Sequence, residues 1–317
     1  MSKAVTCLSL LFLCLACETG EGGRIKQDLI QDDEAKKETL GVRELGRYLF
    51  YERRLSLNHD RSCGICHEQA KAFTDGFVRA VGTSEELHPR NTLSLINVVH
   101  RESLGWISQT SHLESQMLTP LFGTTPVEMG LEEVWSERLS DLNNDPVYKS
   151  LLKNIKQEKL DLELMTQAIA EFERTLVSYR APYDEYLAGN KNALTLSAQR
   201  GLKLFEEALP CQSCHGGQDF DQPDLYILED LDEQGCCESL RHAWVNTGLY
   251  NLDGRYPMGR EGLYELSQSE QDIGKYRIPT LRNLSFTAPY YHDGSGASLI
   301  DVLSNYNQGG RITRSGP

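Results

Sequence analysis

Two short stretches of the 317-residue chain share one pattern, Cys63-Gly64-Ile65-Cys66-His67 and Cys211-Gln212-Ser213-Cys214-His215. Cys-x-x-Cys-His is the attachment pattern of a c-type haem. On a helical turn positions i, i+3 and i+4 fall on one face, so both sulfurs can reach the porphyrin vinyl groups while the histidine comes up beneath the iron. A four-thiolate zinc site built from the two pairs is the competing reading. A histidine trailing both pairs, and an N-terminal export segment, favour two haems.

The surroundings of the motifs also repeat. Leu45-Gly46-Arg47-Tyr48-Leu49-Phe50 precedes the first, and Arg200-Gly201-Leu202-Lys203-Leu204-Phe205 precedes the second. In each, Gly and Phe are four apart on one helical face, which predicts a close helix crossing at the Gly and haem packing at the Phe. The simplest account is a mainly α fold of two cytochrome c-like domains, residues 40–182 and 183–317, each with one covalently bound haem. Between the motifs, Leu131–Leu142, Pro146–Ile155 and Leu162–Arg180 read as helices. The last carries Met165, Ala168, Ile169, Phe172, Leu176 and Tyr179 along one stripe, a core face. Residues 181–194 read as an interdomain joint.

The segment MSKAVTCLSLLFLCLAC has one Lys, an apolar run and a small residue before Cys17. It reads as an export signal over residues 1–16, too short to span a bilayer comfortably. Its end resembles a lipobox, so Cys17 is the expected lipid anchor, with ordinary cleaved secretion as the alternative. Both place the protein in the periplasm. Residues 17–39 are polar and read as a tether, with compact structure from about Leu40. The net charge of −14, from 32 Lys+Arg against 46 Asp+Glu, argues against a nucleic-acid partner. The adjacent Cys236 and Cys237 are expected in an exposed loop, where a vicinal disulfide is the favoured reading.

Two haems suit electron transfer or catalysis. An electron-transfer haem normally has both axial positions filled, often by His and Met, whereas a peroxide-handling haem keeps one open. The five methionines are Met1, Met117, Met129, Met165 and Met258, so nothing after Met258 offers a thioether.

Further runs carry a resemblance. Pro89-Arg90-Asn91, Gln116-Met117-Leu118-Thr119-Pro120-Leu121-Phe122-Gly123, Pro126-Val127-Glu128-Met129-Gly130, Ile278-Pro279-Thr280-Leu281-Arg282-Asn283 and Tyr291-His292-Asp293-Gly294 resemble the bacterial dihaem cytochrome c peroxidase/MauG superfamily. The similarity extends from about Leu40 to the end of the chain. Gly82 to Asn91 and Asn246 to Asn251 look most like its MbnH branch.

The resemblance implies roles by position. Ordinary dihaem peroxidases carry a haem-capping histidine where this chain has Thr83, so the His67 haem is expected to be open. Glu128 matches the distal acid/base that assists O–O cleavage, Gln116 its polar neighbour and Pro120 a pocket-shaping residue. Pro120 and Glu128 stand eight apart, two more than is usual in the superfamily. His88 is read as structural, with a place at the peroxide site as the alternative. Fourteen positions after His292 comes Tyr306, which matches the distal ligand of the His215 haem; core packing of Tyr306, or ligation by Met258, are the alternatives. A phenolate is a hard anionic donor that suits an oxidised iron. Trp106 matches the tryptophan between the haems, whereas Trp135 and Trp244 read as packing residues. Asn91 with the carbonyls of Thr287 and Pro289 matches an interhaem calcium site. Superfamily members generally continue into another helix, so a closing segment is expected beyond Pro317.

The leading reading is a MauG/MbnH-like peroxidase. Hydrogen peroxide would react at the His67 haem, the two irons and Trp106 would share the oxidising equivalents, and a partner residue, a Trp above all, would be oxidised. An MbnP-like copper-binding protein is the partner the resemblance implies. The alternatives are a detoxifying peroxidase fed by cytochrome c or another small redox protein, and a non-catalytic dihaem electron carrier.

Overall fold

The computed structural model describes residues 21–108, 110–209, 211–222, 244–246, 248–250 and 261–310, with side chains from Lys36 onward. The expected signal and anchor cysteines Cys7, Cys14 and Cys17, the pair Cys236/Cys237, and Met258 lie outside the described residues.

The first helix, α1, runs Glu21–Phe50. Its leading residues were expected as a tether; they are helical, in a stretch rich in Gln, Glu and Lys, which tolerate helix well. Lys36 to Leu40 remain exposed, and burial starts at Gly41. From there Leu45, Leu49 and Phe50 fall on one face and are fully buried.

After the first motif turn, α2 (Cys63–Cys66), come the short helices α3 (Leu113–Gln116) and α4 (Leu118–Phe122). Three longer helices follow: α5 (Trp135–Asn144), α6 (Pro146–Asn154) and α7 (Leu162–Glu173). Asp145 starts α6 by accepting from the Val147 and Tyr148 amides at 2.7 and 3.4 Å, with Pro146 at the first helical position. Asp161 caps α7 through the Leu164 amide at 2.9 Å. α5 begins at Trp135 rather than Leu131, because the Leu131 amide is already bonded to the Leu121 carbonyl at 3.0 Å.

The core of this first unit forms where α1 crosses α7. At Gly46 an added Cβ would lie 1.8 Å from the Ala168 carbonyl oxygen, so only glycine permits the approach. Met165, Ala168 and Ile169 are buried against it, as the stripe predicts. The stripe was expected to continue to Arg180, yet α7 stops at Glu173. Asn97 captures the chain beyond: its amide donates to the Leu176 carbonyl at 2.7 Å, its Oδ1 accepts from the Ser178 amide at 2.7 Å and its Nδ2 donates to the Ser178 carbonyl at 3.2 Å. These bonds replace the helix ladder that β-branched Thr175 and Val177 would support weakly.

The second unit comprises α8 (Pro182–Leu187), α9 (Leu196–Lys203), the motif turn α10 (Cys211–Cys214), α11 (Tyr264–Ser267) and α12 (Leu299–Asn307). One antiparallel pair, β1 (Trp244–Val245) with β2 (Tyr276–Arg277), matches Trp244 to Arg277. The sequence repeat does not carry its glycine across: Gly201 on α9 is exposed and an added Cβ there meets nothing within 4 Å.

The units are joined by a buried polar knot. Asp219 accepts from Asn97 Nδ2 at 2.8 Å and from the Tyr179 hydroxyl at 2.6 Å, and lies 3.4 Å from Arg282 Nε. Arg282 also grips Asp184 with both terminal nitrogens, at 2.8 and 3.1 Å, and stacks over the Tyr179 ring. Such forked, charge-assisted contacts fix orientation as well as distance.

Candidate active site

Both motifs fold as single helical turns whose last amide returns to the first cysteine. His67 N donates to the Cys63 carbonyl at 2.8 Å, and His215 N to the Cys211 carbonyl at 2.9 Å. Each histidine then places its ring nitrogen Nδ1 against a main-chain oxygen, Phe73 O at 2.9 Å and Phe220 O at 3.0 Å. A carbonyl oxygen can only accept, so Nδ1 carries the proton and Nε2 keeps its lone pair, the tautomer an iron ligand needs. Burial lowers the pKa of both rings, which keeps them neutral.

The repeat is therefore deeper than the motif. Phe73 and Phe220 both adopt left-handed backbone, φ 60° and 56°, unusual for a bulky residue. Each also meets the phenylalanine of the upstream helix: Phe50 to Phe73 at 6.2 Å and Phe205 to Phe220 at 5.9 Å between ring centroids. Neither carbonyl acceptor is signalled by the spacing of the motif; the shared Phe downstream of each histidine was the available clue.

The residues present fit haem better than zinc. The four motif cysteines are free and partly accessible. Among the described residues, no group of three His, Cys, Asp or Glu side chains is gathered as a metal site, so the two pairs do not assemble a four-thiolate centre. Arg61 Nε and Arg277 Nη2 are buried without a hydrogen-bond partner, donors that porphyrin propionates would satisfy. Arg277 has its pKa pulled down to about 9 by burial, then by the Arg101 guanidinium.

Around the first motif, Thr83 is fully committed. Its hydroxyl donates to Asp60 Oδ1 at 2.7 Å, its amide donates to the Glu128 carbonyl at 2.8 Å, and its carbonyl accepts from Asn58 Nδ2 at 3.1 Å. The longer loop between Pro120 and Glu128 is closed by the Met129 amide, which donates to the Pro120 carbonyl at 3.0 Å. Glu128 is partly buried, and desolvation pushes its carboxyl pKa up to about 7. That value suits a group asked to take and return a proton near neutrality. His88 joins it: Nε2 lies 3.7 Å from Glu128 Oε1, and the Arg90 amide donates to Nδ1 at 3.1 Å. Burial holds the His88 pKa down to about 4, so a neutral imidazole faces the carboxyl. Gln116 has its side-chain amide nitrogen against Gly105, beside Trp106.

Trp106 lies at the seam. Its indole nitrogen donates to the Asn91 carbonyl at 2.7 Å, and its own carbonyl accepts from the Arg277 amide at 3.0 Å. Its ring centroid is 6.3 Å from Tyr276 and 6.2 Å from His292, which stack on each other at 3.6 Å. Asn91 turns its Nδ2 to the carbonyl of Phe77 at 2.8 Å, while its amide donates to the His292 carbonyl at 2.7 Å. Thr287 and Pro289 lie in the adjoining loop, partly buried. Trp135 packs edge-on to Phe122, as expected of a packing residue.

Tyr306 sits on α12, capped by Ser298 at the Asp301 amide, 3.2 Å. It is 52% exposed. Its phenol pKa is raised by desolvation and then by the nearby Cys214 and Cys211, which places the ring beside the second motif.

The model of the di-haem cytochrome c peroxidase family matches residues 42–192. The chain is 30% identical over 301 residues to the cytochrome-c peroxidase IdrP2 of a Pseudomonas species, covering 92% of this chain and 79% of that one. It is 30% identical to the methylamine utilization protein MauG of Methylorubrum extorquens, covering 84% and 68%. A solved MauG-like protein associated with microbial copper homeostasis superposes with a TM-score of 0.78 at 36% identity, covering 87% of this chain and 79% of that one. The chain belongs to the di-haem cytochrome c peroxidase/MauG family, haem enzymes that act on hydrogen peroxide through two c-type haems, and shares its mainly helical build of two cytochrome c-like domains.

Proposed function

We propose that this chain is a MauG-type member, in which peroxide reacts at the His67 side and the oxidising equivalents are spent on a residue of a partner protein. The observation that carries this reading is Thr83. With its hydroxyl bonded to Asp60 and its main chain tied on both sides, that position supplies no ligand to the first haem. The bound haems supply the redox chemistry, O–O cleavage and storage of two oxidising equivalents. Glu128 holds the proton at its carboxyl, His88 Nε2 lies 3.7 Å from that carboxyl, and Pro120 anchors the loop through Met129.

Tyr306 would hold the second haem together with His215, and Trp106 would carry electrons between the two sites. Cys63, Cys66, Cys211 and Cys214 would make the thioether links. Asn91 Oδ1 and the carbonyls of Thr287 and Pro289 offer hard oxygen donors for a calcium ion between the units. The partner is a protein with an oxidisable tryptophan, and a copper-binding one is favoured by the likeness to the MauG-like protein of copper homeostasis. Export with lipid anchoring at Cys17 places both in the periplasm; none of the described helices is long and apolar enough to cross a membrane.

The second reading is a peroxidase drawing electrons from cytochrome c, favoured by the relatives that carry that name. Adding peroxide to the diferric holoprotein separates the two. A MauG-type enzyme gives a long-lived state with both haems oxidised and needs no prior reduction. Turnover with reduced cytochrome c only after half-reduction would overturn the first reading in favour of the second.

A further inference from the structure

Behind Trp106 the aromatic contacts do not stop at the Tyr276/His292 stack. The Tyr250 ring lies 5.7 Å from that of His292, edge-on, and its hydroxyl donates to Asp293 Oδ2 at 2.5 Å. Tyr250 and Asp293 are both almost wholly buried, at 0% and 1% exposure. The other oxygen of Asp293 accepts from the Ser295 amide and hydroxyl at 3.0 and 2.6 Å, which fixes the carboxylate in place.

A phenol that loses an electron becomes a strong acid, so it is oxidised easily only where a base already holds its hydrogen bond. Tyr276, whose ring meets Trp106, and Tyr250, whose ring meets His292, differ in this respect. Tyr276 has the Arg90 guanidinium as its hydrogen-bond donor, a cation that opposes oxidation. Tyr250 donates to a carboxylate. We propose that Tyr250 is a radical trap, a redox-active site that receives the oxidising equivalent from Trp106 and passes its phenolic proton to Asp293.

The step balances within the chain. One electron moves from Tyr250 through the Tyr276/His292 stack to the oxidised Trp106, and one proton moves from the Tyr250 hydroxyl to Asp293 Oδ2. Neutral Trp106, a tyrosyl radical and a protonated Asp293 result, and the return electron reverses both transfers. The first oxidation of Trp106 is supplied by peroxide at the haems, so the inference rests on Trp106 being the relay proposed above.

Freeze-quench electron paramagnetic resonance on the diferric holoprotein mixed with peroxide, grown with ring-deuterated tyrosine, tests it. The expected result is a tyrosyl signal narrowed by the deuterons and lost in Tyr250→Phe, while the Soret band shows that the haems of that variant are still oxidised. Asp293→Asn, which keeps the phenol and removes the base, should lower the tyrosyl yield at least about tenfold. A tyrosyl signal that persists in Tyr250→Phe, or oxidised haems with no tyrosyl signal, overturns the proposal. Failure of the underlying reading looks different: the signal would survive Trp106→Phe unchanged, or the wild-type Soret band would not respond to peroxide, and either also removes the path assigned here.

Discussion

The glycine shared by the two upstream helices should respond oppositely to one substitution. At Gly46 an added Cβ would lie 1.8 Å from the Ala168 oxygen and 2.4 Å from its carbonyl carbon. Both are main-chain atoms, so no side chain can turn aside, and α1 would have to part from α7 by roughly 1.6 Å to reach ordinary contact. That loosens Leu45, Leu49, Met165, Ala168 and Ile169, all buried. Overpacking costs about 1–3 kcal/mol and alanine's helix propensity returns about 1, and a rigid contact sits at the upper end. Gly46→Ala should therefore lose about 2 kcal/mol, a fall of roughly 4–8 °C in Tm at about 2–4 °C per kcal/mol. Gly201 meets nothing within 4 Å, so Gly201→Ala should gain about 0.5–1 kcal/mol from propensity alone. Thermal unfolding followed by far-UV circular dichroism reads both. A Gly46→Ala variant as stable as the parent, or two variants shifting alike, would refute the helix-crossing argument.

Three further outcomes follow from the buried polar groups. Desolvation raises the Glu173 pKa from 4.5 to about 8. Between those values the folded chain holds a proton that the unfolded chain has released, so stability falls as pH rises, by up to about 1.4 kcal/mol per unit. Glu173→Gln should be increasingly more stable than the parent as pH rises toward 8; parallel plots of Tm against pH would contradict this. Asp219→Ala strands Asn97, Tyr179 and Arg282 at the junction and should cost about 3–5 kcal/mol by calorimetry. Glu128, at about 7, should give a peroxide reaction whose rate changes across neutral pH. Glu128→Gln should slow it by about 10²–10⁴ and flatten that profile in stopped-flow measurements.

What could be read before folding was local. The motif spacing, the start of α6 at Pro146 and the crossing glycine at Gly46 each depend on a few neighbouring residues, and each reappears in three dimensions. The α7 end was misplaced because Asn97, remote in sequence, takes the hydrogen bonds of Leu176 and Ser178. Gly201 was misread because its helix copies the pattern of α1 without a partner helix pressed against it among the described residues. At the site, Glu128, Trp106 and Tyr306 came from resemblance rather than from periodicity. The His88 contact and the Tyr250–Asp293 bond needed the fold, since each joins loops far apart in the chain.

The carbonyl partners of the two motif histidines have a further consequence. Phe73 O and Phe220 O receive the Nδ1 proton at 2.9 and 3.0 Å, and neither is an anion. A carboxylate in that place would draw the ring toward imidazolate and make it a stronger electron donor; a peptide oxygen does so only weakly. Both irons would therefore feel nearly the same push from below. Under the proposed function, any division of labour between the two haems, one meeting substrate and the other holding charge, would then rest on other residues, Thr83 and Glu128 at the first and Tyr306 at the second.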